Sequence, residues 1–278
     1  MKARLLFRVL GTLLLAGFLS GFLAGCTQLL QGEGRGLQPL SLQTVSQLKA
    51  MGSSPGAAMM VRIYKESSQL EVWKRVADGT FKLFKTYPIC TFSGDLGPKI
   101  FEGDRQSPEG FYTVTRGMMN PRSQLYLSFN IGFPNKFDRA YGRTGSNIMV
   151  HGACSSRGCY AMTDKQVTQI YALARESFNG GNTSFQVQIF PFRMTPENLA
   201  RFYDSPNLAY WQNLKTGNDY FELTRKPPSW DVCGKQYVFD AKSRSGQPLD
   251  ASAACPPLVR NSNLLAQVKA RESADQAS

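Results

Sequence analysis

The sequence predicts a mainly β fold with helices, of the α+β class, and three observations predict it. Apolar and polar residues alternate in short segments from Ala58 to Gly152, with turn residues between them. A helical periodicity then takes over in "TDKQVTQIYALARESFNGG". The composition, 42% hydrophobic and 12% aromatic with 19% charged, is that of a chain with a core to bury. In order, "AAMMVRIY", "QLEVWKRV" and "FKLFKTYPI" read as an antiparallel meander, the last two joined by a turn at Asp78-Gly79. "GFYTVTR", "QLYLSFNI" and "NIMVHG" follow as strands between Gly/Pro loops. The helix has Thr163 and Gln166 as a capping box, and Val167, Ile170, Tyr171, Ala174 and Phe178 form one face; Gly180-Gly181 stops it. "TSFQVQIFPF" returns to strand. "TPENLARFYD" starts a helix capped by Thr195 with Pro196 at its first position, and "NLAYWQNLK" suggests another.

The ends read differently. Lys2, Arg4 and Arg8 precede the apolar run "VLGTLLLAGFLSGFLAG", so residues 1–26 are expected to be an export signal outside the fold. The run closes in "LAGC", which resembles a bacterial lipobox: Cys26 would carry diacylglycerol and become the new N-terminus. Acyl chains there would hold the protein at a membrane in the periplasm, each buried methylene contributing about 0.8 kcal/mol. Thr27 after the cysteine points to the outer membrane, and an uncleaved anchor over residues 5–24 is the competing reading. Residues 27–56, rich in Gln, Gly and Ser, read as a flexible linker with one short helix in "TVSQLKAMG". Residues 57–229 are the expected folded domain, and residues 230–278 an irregular C-terminal tail. The formal charge of +12 predicts attraction to wall carboxylates or anionic lipid. No zinc-finger spacing, RNP-like segment or arginine-rich helix is present, so nucleic acid is not an expected partner.

The chemistry gathers in "IMVHGACSSRGCYAMTD", which holds the only histidine and two of the six cysteines. With Cys26 set aside, five cysteines remain, an odd number for an oxidising compartment, so at least one thiol is free. Three readings compete. His151 could serve as base to a Cys159 nucleophile placed in a Gly/Ser-rich loop before a helix, where backbone N–H groups stabilise a thiolate and an oxyanion. Gly152 and Gly158 would let that loop fold tightly. His151, Cys154 and Cys159 could instead be zinc ligands, with Cys90 or a carboxylate as the fourth. The third reading is a packed histidine beside a Cys154 disulfide.

"HGACSSRGCYAMTD" resembles the His…Ser-x-Gly-Cys signature of the L,D-transpeptidase (YkuD-type) catalytic domain. The likeness extends to "SPEGFYTV", similar to the family's TPxGxF strand, and to "NIMVHG". "YPICTFSGDLGPK", "INIGFPN", "IFPFRMT" and "TRKPP" are in the style of the YafK-like periplasmic branch, and together these blocks span residues 58–228. The resemblance implies a β-sandwich catalytic domain with a few helices after the catalytic loop, and no metal or cofactor. It implies that Cys159 attacks the carbonyl at the L-centre of meso-diaminopimelate in a peptidoglycan stem peptide, with His151 as general base. Gly158, Cys159 and Tyr160 would supply oxyanion N–H groups, with Gly152 and Ser156 positioning the loop. The acyl-enzyme would pass to an amine or to water, and members of this branch are also associated with releasing a wall-attached lipoprotein. The chain departs from the commoner pattern in its short His151-to-Cys159 spacing, in Arg157 where many members have a second histidine, and in Ala161 where many have an arginine. Carboxylate binding is therefore left to Arg139, Arg143 or Arg157. Cys90 with Cys154 and Cys233 with Cys255 form one of the three pairings that four cysteines permit, and free buried thiols are the alternative. A non-catalytic wall-binding lipoprotein is the reading from a different class.

Overall fold

The alternating segments become two facing sheets in the computed structural model, which describes residues 34–277. In chain order the two sheets are built from β1 (Met59–Tyr64), β2 (Gln69–Arg75), β3 (Phe81–Pro88), β4 (Gly110–Thr115), β5 (Met119–Asn120), β6 (Ser128–Asn130), β7 (Met149–His151), β8 (Tyr160–Ala161) and β9 (Ser184–Phe190). One sheet has the order β3-β2-β1-β9-β4 and the other β5-β6-β7-β8. The meander is antiparallel as its turns require. At Asp78-Gly79, Gly79 takes φ 83° and the Asp78 carboxylate accepts from the N–H and hydroxyl of Thr80.

Strand β1 is buried along its whole length because both of its faces are covered. Met59, Val61 and Ile63 meet the second sheet, where Phe129, Val150 and Tyr160 close the main core. Burial of this apolar surface is the principal force holding the sheets together. Helices α1 (Leu42–Ala50), α2 (Lys136–Ala140) and α3 (Asp164–Asn179) precede β9 and α4 (Pro196–Ala200) follows it; α3 packs on the same core through Val167, Ile170, Leu173 and Phe178. Its capping box forms: the Thr163 hydroxyl accepts the Gln166 N–H at 3.2 Å, and Gln166 Oε1 accepts the Thr163 N–H at 3.0 Å. On the other face of β1, helix α5 (Leu208–Thr224) supplies Asn218 and Glu222, which receive the buried Arg62 guanidinium at 2.5 and 2.9 Å. Gly217 permits this approach, because a Cβ there would lie 2.5 Å from the rings of Phe111 and Phe239.

Two predicted boundaries are corrected. Residues 34–56 are not a free linker: α1 (Leu42–Ala50) is capped by the Ser41 hydroxyl and buries Leu48 in the main core. Thr44 accepts from Gln169 Nε2 at 2.7 Å, and Gly36 O from Arg175. Gln- and Ser-rich composition concealed this because the contacts are polar and distant in sequence. The remaining linker residues before position 34, the export signal and Cys26 lie outside the described residues. Nor is the C-terminal segment irregular. It forms hairpins of β10 (Trp230–Cys233) with β11 (Gln236–Phe239) and β12 (Ala241–Ser243) with β13 (Leu258–Arg260), then helix α6 (Ser262–Ala277). Tyr237 and Phe239 are buried against Phe111, and Asn213 of α5 bonds both the N–H and the carbonyl of Tyr237. Strands of three or four residues show no usable alternation, so only their tertiary partners reveal them.

Candidate active site

Strands β7 and β8 run parallel, pairing Val150 with Tyr160 and His151 with Ala161. Such pairs usually need a crossover of a dozen or more residues; here the loop from Gly152 to Cys159 suffices because it is wound tightly. Ala153 and Cys154 hold left-handed φ values of 64° and 41°, and Gly158 one of 140°. Asp164 Oδ1 accepts the Ala153 N–H at 2.9 Å, and Cys154 is joined to Cys90 with a Cα–Cα distance of 5.2 Å. A second disulfide joins Cys233 to Cys255. Cys159 is the free cysteine among the described residues.

The register decides which side chains meet. Cys159 directly precedes β8, and its sulfur reaches the backbone of the segment that enters β7, two residues from His151, which pairs with Ala161. The imidazole is 1% exposed and the thiol partly exposed. His151 Nδ1 lies 2.6 Å from Gly152 O. A carbonyl only accepts, so Nδ1 carries the proton and Nε2 keeps a free lone pair. Burial holds the His151 pKa below its ordinary value, against the opposing pull of the Gly152 carbonyl. Burial also pushes the Cys159 thiol up, opposed by the Met149 N–H and the charge of Lys99. The sulfur accepts the Met149 N–H at 3.4 Å and its S–H points to Asn147 O at 3.5 Å. Among the described residues, no hydrogen bond links the sulfur to His151. The resting pair is therefore a neutral thiol and a neutral imidazole. A thiolate–imidazolium ion pair is not favoured at rest, because two buried groups each disfavour their charged form.

Below the sulfur, the Cys159 carbonyl accepts from Ser156 Oγ at 2.8 Å and Ser107 Oγ at 3.1 Å. Ser93 bonds both serines, and Tyr160 donates to Pro108 O at 2.7 Å. Behind Ser107 sits Lys65, fully buried, donating to Gly97 O, Ser107 O and Glu109 Oε1. Ser93, Lys65 and the role of Ser107 escaped the sequence reading. The available signal was "SPEG", which holds Ser107, Pro108 and Glu109 consecutively.

The remaining expected residues divide. Ser156 and Gly158 are joined, Gly158 N–H donating to Ser156 Oγ at 3.1 Å, so that N–H is already engaged. Gly152 N–H is shared between Leu125 O and Leu127 O. Arg143 is corrected: it is 8% exposed, paired with Asp138 at 2.9 Å and stacked over Phe137 and Tyr210, so it is structural. Arg139 is exposed and donates to Pro134 O. Arg157 is exposed in the loop two residues before Cys159. The zinc set is also corrected, because Cys90 and Cys154 are consumed by bonding each other. Cavities of about 610 and 800 Å³ lie elsewhere, beside α5 and α6 and around Gly52–Ala57, and neither is lined by Cys159 or His151. The sulfur faces the surface instead.

Among the described residues, a two-sheet domain with one unpaired thiol and one tautomerically fixed imidazole on adjoining segments makes a candidate cysteine–histidine site. Comparison with known proteins gives the class its family. The L,D-transpeptidase catalytic domain (YkuD) matches residues 58–189. The Escherichia coli K12 protein named "Putative L,D-transpeptidase YafK" is 39% identical over 235 residues, covering 84% of this chain and 90% of that one. The chain belongs to the L,D-transpeptidase (YkuD) family. Among solved structures, the helical cell shape determining protein Pgp2 of Campylobacter jejuni matches 54% of this chain and 56% of its own, at 22% identity and a TM-score of 0.39. Bd1075 of Bdellovibrio bacteriovorus matches 60% of each chain at 20% identity and a TM-score of 0.34.

Proposed function

We propose that this protein is a cysteine acyltransferase acting at the meso-diaminopimelate L-centre of peptidoglycan stem peptides. The observation that carries the reading is the Cys159 sulfur against Met149 N–H of β7, two residues before His151, whose Nδ1 is held by Gly152 O. Substrate binding turns the S–H from Asn147 O toward Nε2, which takes the proton as sulfur bonds to the carbonyl carbon. With Gly158 N–H held by Ser156, the N–H of Cys159 is the donor the turn offers to the oxyanion. Collapse breaks the carbon–nitrogen bond, and Nε2–H protonates the departing amine. An incoming amine then loses its proton to Nε2, attacks the thioester and releases the thiol. Water in place of the amine gives hydrolysis at the same bond, including release of a wall-attached lipoprotein. Arg157, the exposed cation nearest the nucleophile in sequence, is the carboxylate ligand in this reading. A Cys26 lipid anchor would hold the enzyme in the periplasm against its polymeric substrate.

The test is incubation of the purified protein with muropeptides. The expected result is an acyl adduct on Cys159, absent in Cys159→Ala and strongly reduced in His151→Ala. Products assign the acceptor: new 3-3 crosslinks mark transfer, and shortened peptides or freed lipoprotein mark hydrolysis. Turnover by Cys159→Ala would end the proposal, and no adduct with any stem peptide would favour a non-catalytic wall-binding protein.

A further inference from the structure

The mechanism above leaves one buried cation beside the site without a task. Lys99 lies in the loop between β3 and β4 and is 3% exposed. Its ammonium donates to Phe101 O at 2.9 Å and to the Asp104 carboxylate. Asp104 also accepts the N–H groups of Ile100, Phe101 and Gln106 at 2.8, 3.1 and 3.0 Å. The whole turn is thus wound around one carboxylate, and the lysine is held in place.

This turn packs against both flanks of the sulfur. Lys99 Cε lies 2.8 Å from where a Cβ of Gly145 would stand, and Gly145 precedes by two residues Asn147, whose carbonyl meets the thiol proton. Thr144 N–H donates to Ile100 O at 3.0 Å. On the other flank, Gln106 O lies 3.7 Å from the Cβ position of Gly158, directly before Cys159. The titratable and charged groups whose fields reach Cys159 are Lys99, with its partner Asp104 from this loop, and Tyr160 from β8, while His151 stands two residues along β7 from Met149, whose N–H the sulfur accepts. His151 and Tyr160 are neutral at rest, so Lys99 supplies the standing positive charge. Its burial keeps it from meeting substrate directly, so any effect passes through the sulfur.

We propose that Lys99 is a positioning residue whose ammonium stabilises the Cys159 thiolate once His151 has taken the proton, with Asp104 setting how much of that charge the sulfur feels. An opposite charge nearby favours the ionised thiol, and low water access strengthens it. The inference rests on Cys159 being the nucleophile, but its test reads thiol chemistry rather than turnover.

The full-length protein is alkylated with iodoacetamide across the pH range, with adducts at Cys159 counted by mass spectrometry. Lys99→Met is expected to move the midpoint of alkylation upward by about half a unit or more, roughly threefold less thiolate at a given pH below it. The plateau at high pH, where every thiol is ionised, stays unchanged, and Lys99→Arg restores the midpoint. Asp104→Asn, which unmasks the ammonium, is expected to move the midpoint downward. A loop merely loosened would shift both variants in one direction and change the plateau, and that result overturns the proposal. If Lys99→Met does not fold, an Asp104→Asn midpoint unchanged or raised overturns it equally. Normal shifts in a protein that never forms an acyl adduct would sink the proposed function while sparing this inference.

Discussion

Removing Lys65, which reaches from the end of β1 into the loop that supports Cys159, should be strongly destabilising. Its ammonium reaches Gly97 O at 3.0 Å, Ser107 O at 3.1 Å and Glu109 Oε1 at 3.1 Å, and both members of the ion pair are fully buried. In Lys65→Met the Glu109 carboxylate keeps the Gly97 N–H at 2.6 Å and the Trp211 Nε1–H at 2.8 Å but loses its ion-pair partner. Leaving one half of a buried pair uncompensated costs about 3–5 kcal/mol. At about 2–4 °C per kcal/mol for a domain of this size, the melting temperature should fall by roughly 6–20 °C. The two carbonyls released belong to Gly97 and Ser107, so alkylation of Cys159 should also change, because Ser107 holds the Cys159 carbonyl. Urea unfolding followed by tryptophan fluorescence measures the first effect. Adding Glu109→Gln should recover part of the loss, since a neutral side chain no longer needs the cation. A Lys65→Met protein within about 1 kcal/mol of wild type would refute the reasoning, as would a double variant less stable than the single one.

Other expectations follow from the same structure. Wild-type Cys159 should alkylate about tenfold faster per unit of pH through neutrality, because burial raises its pKa; an acid-side plateau, measured by stopped-flow quenching, would reveal a preformed ion pair after all. Lys74, buried against Pro55 O and Ala57 O, has its pKa lowered from 10.5 to about 7 by burial. The folded protein then binds fewer protons than the unfolded chain between those values. Wild type should therefore gain stability relative to Lys74→Met as pH rises from about 7 to about 10, by up to about 5 kcal/mol, measurable by urea titration at several pH values. Replacing Cys90 and Cys154 by serine should remove about 4 kcal/mol for a separation of 64 residues and slow acylation. Replacing Cys233 and Cys255, separated by 22 residues, should cost about 3 kcal/mol and leave Cys159 alkylation unchanged.

Sequence reading succeeded where a local signal and its structural cause coincide. Asp78 and Gly79 make their turn with their own side chain and backbone freedom, and Thr163 with Gln166 caps α3 without help from elsewhere. It failed where a residue's role depends on a distant partner. Arg143 read as a candidate carboxylate ligand until Asp138 and the Tyr210 ring closed on it. Tyr237 and Phe239 looked like parts of a polar tail until Phe111 and Asn213 covered them.

By itself the sequence determined the alternation of strands, the cap and length of α3, and the gathering of the one histidine with two cysteines at close spacing. These are properties of neighbours along the chain, and periodicity and backbone preference report them directly. Only the tertiary structure decided that the Cys159 sulfur comes against the strand that carries His151, that burial favours the neutral form of both, and that Ser107, Lys65 and Lys99 stand behind them. Those outcomes depend on strand register and on burial, and both are created by contacts between residues far apart in the chain.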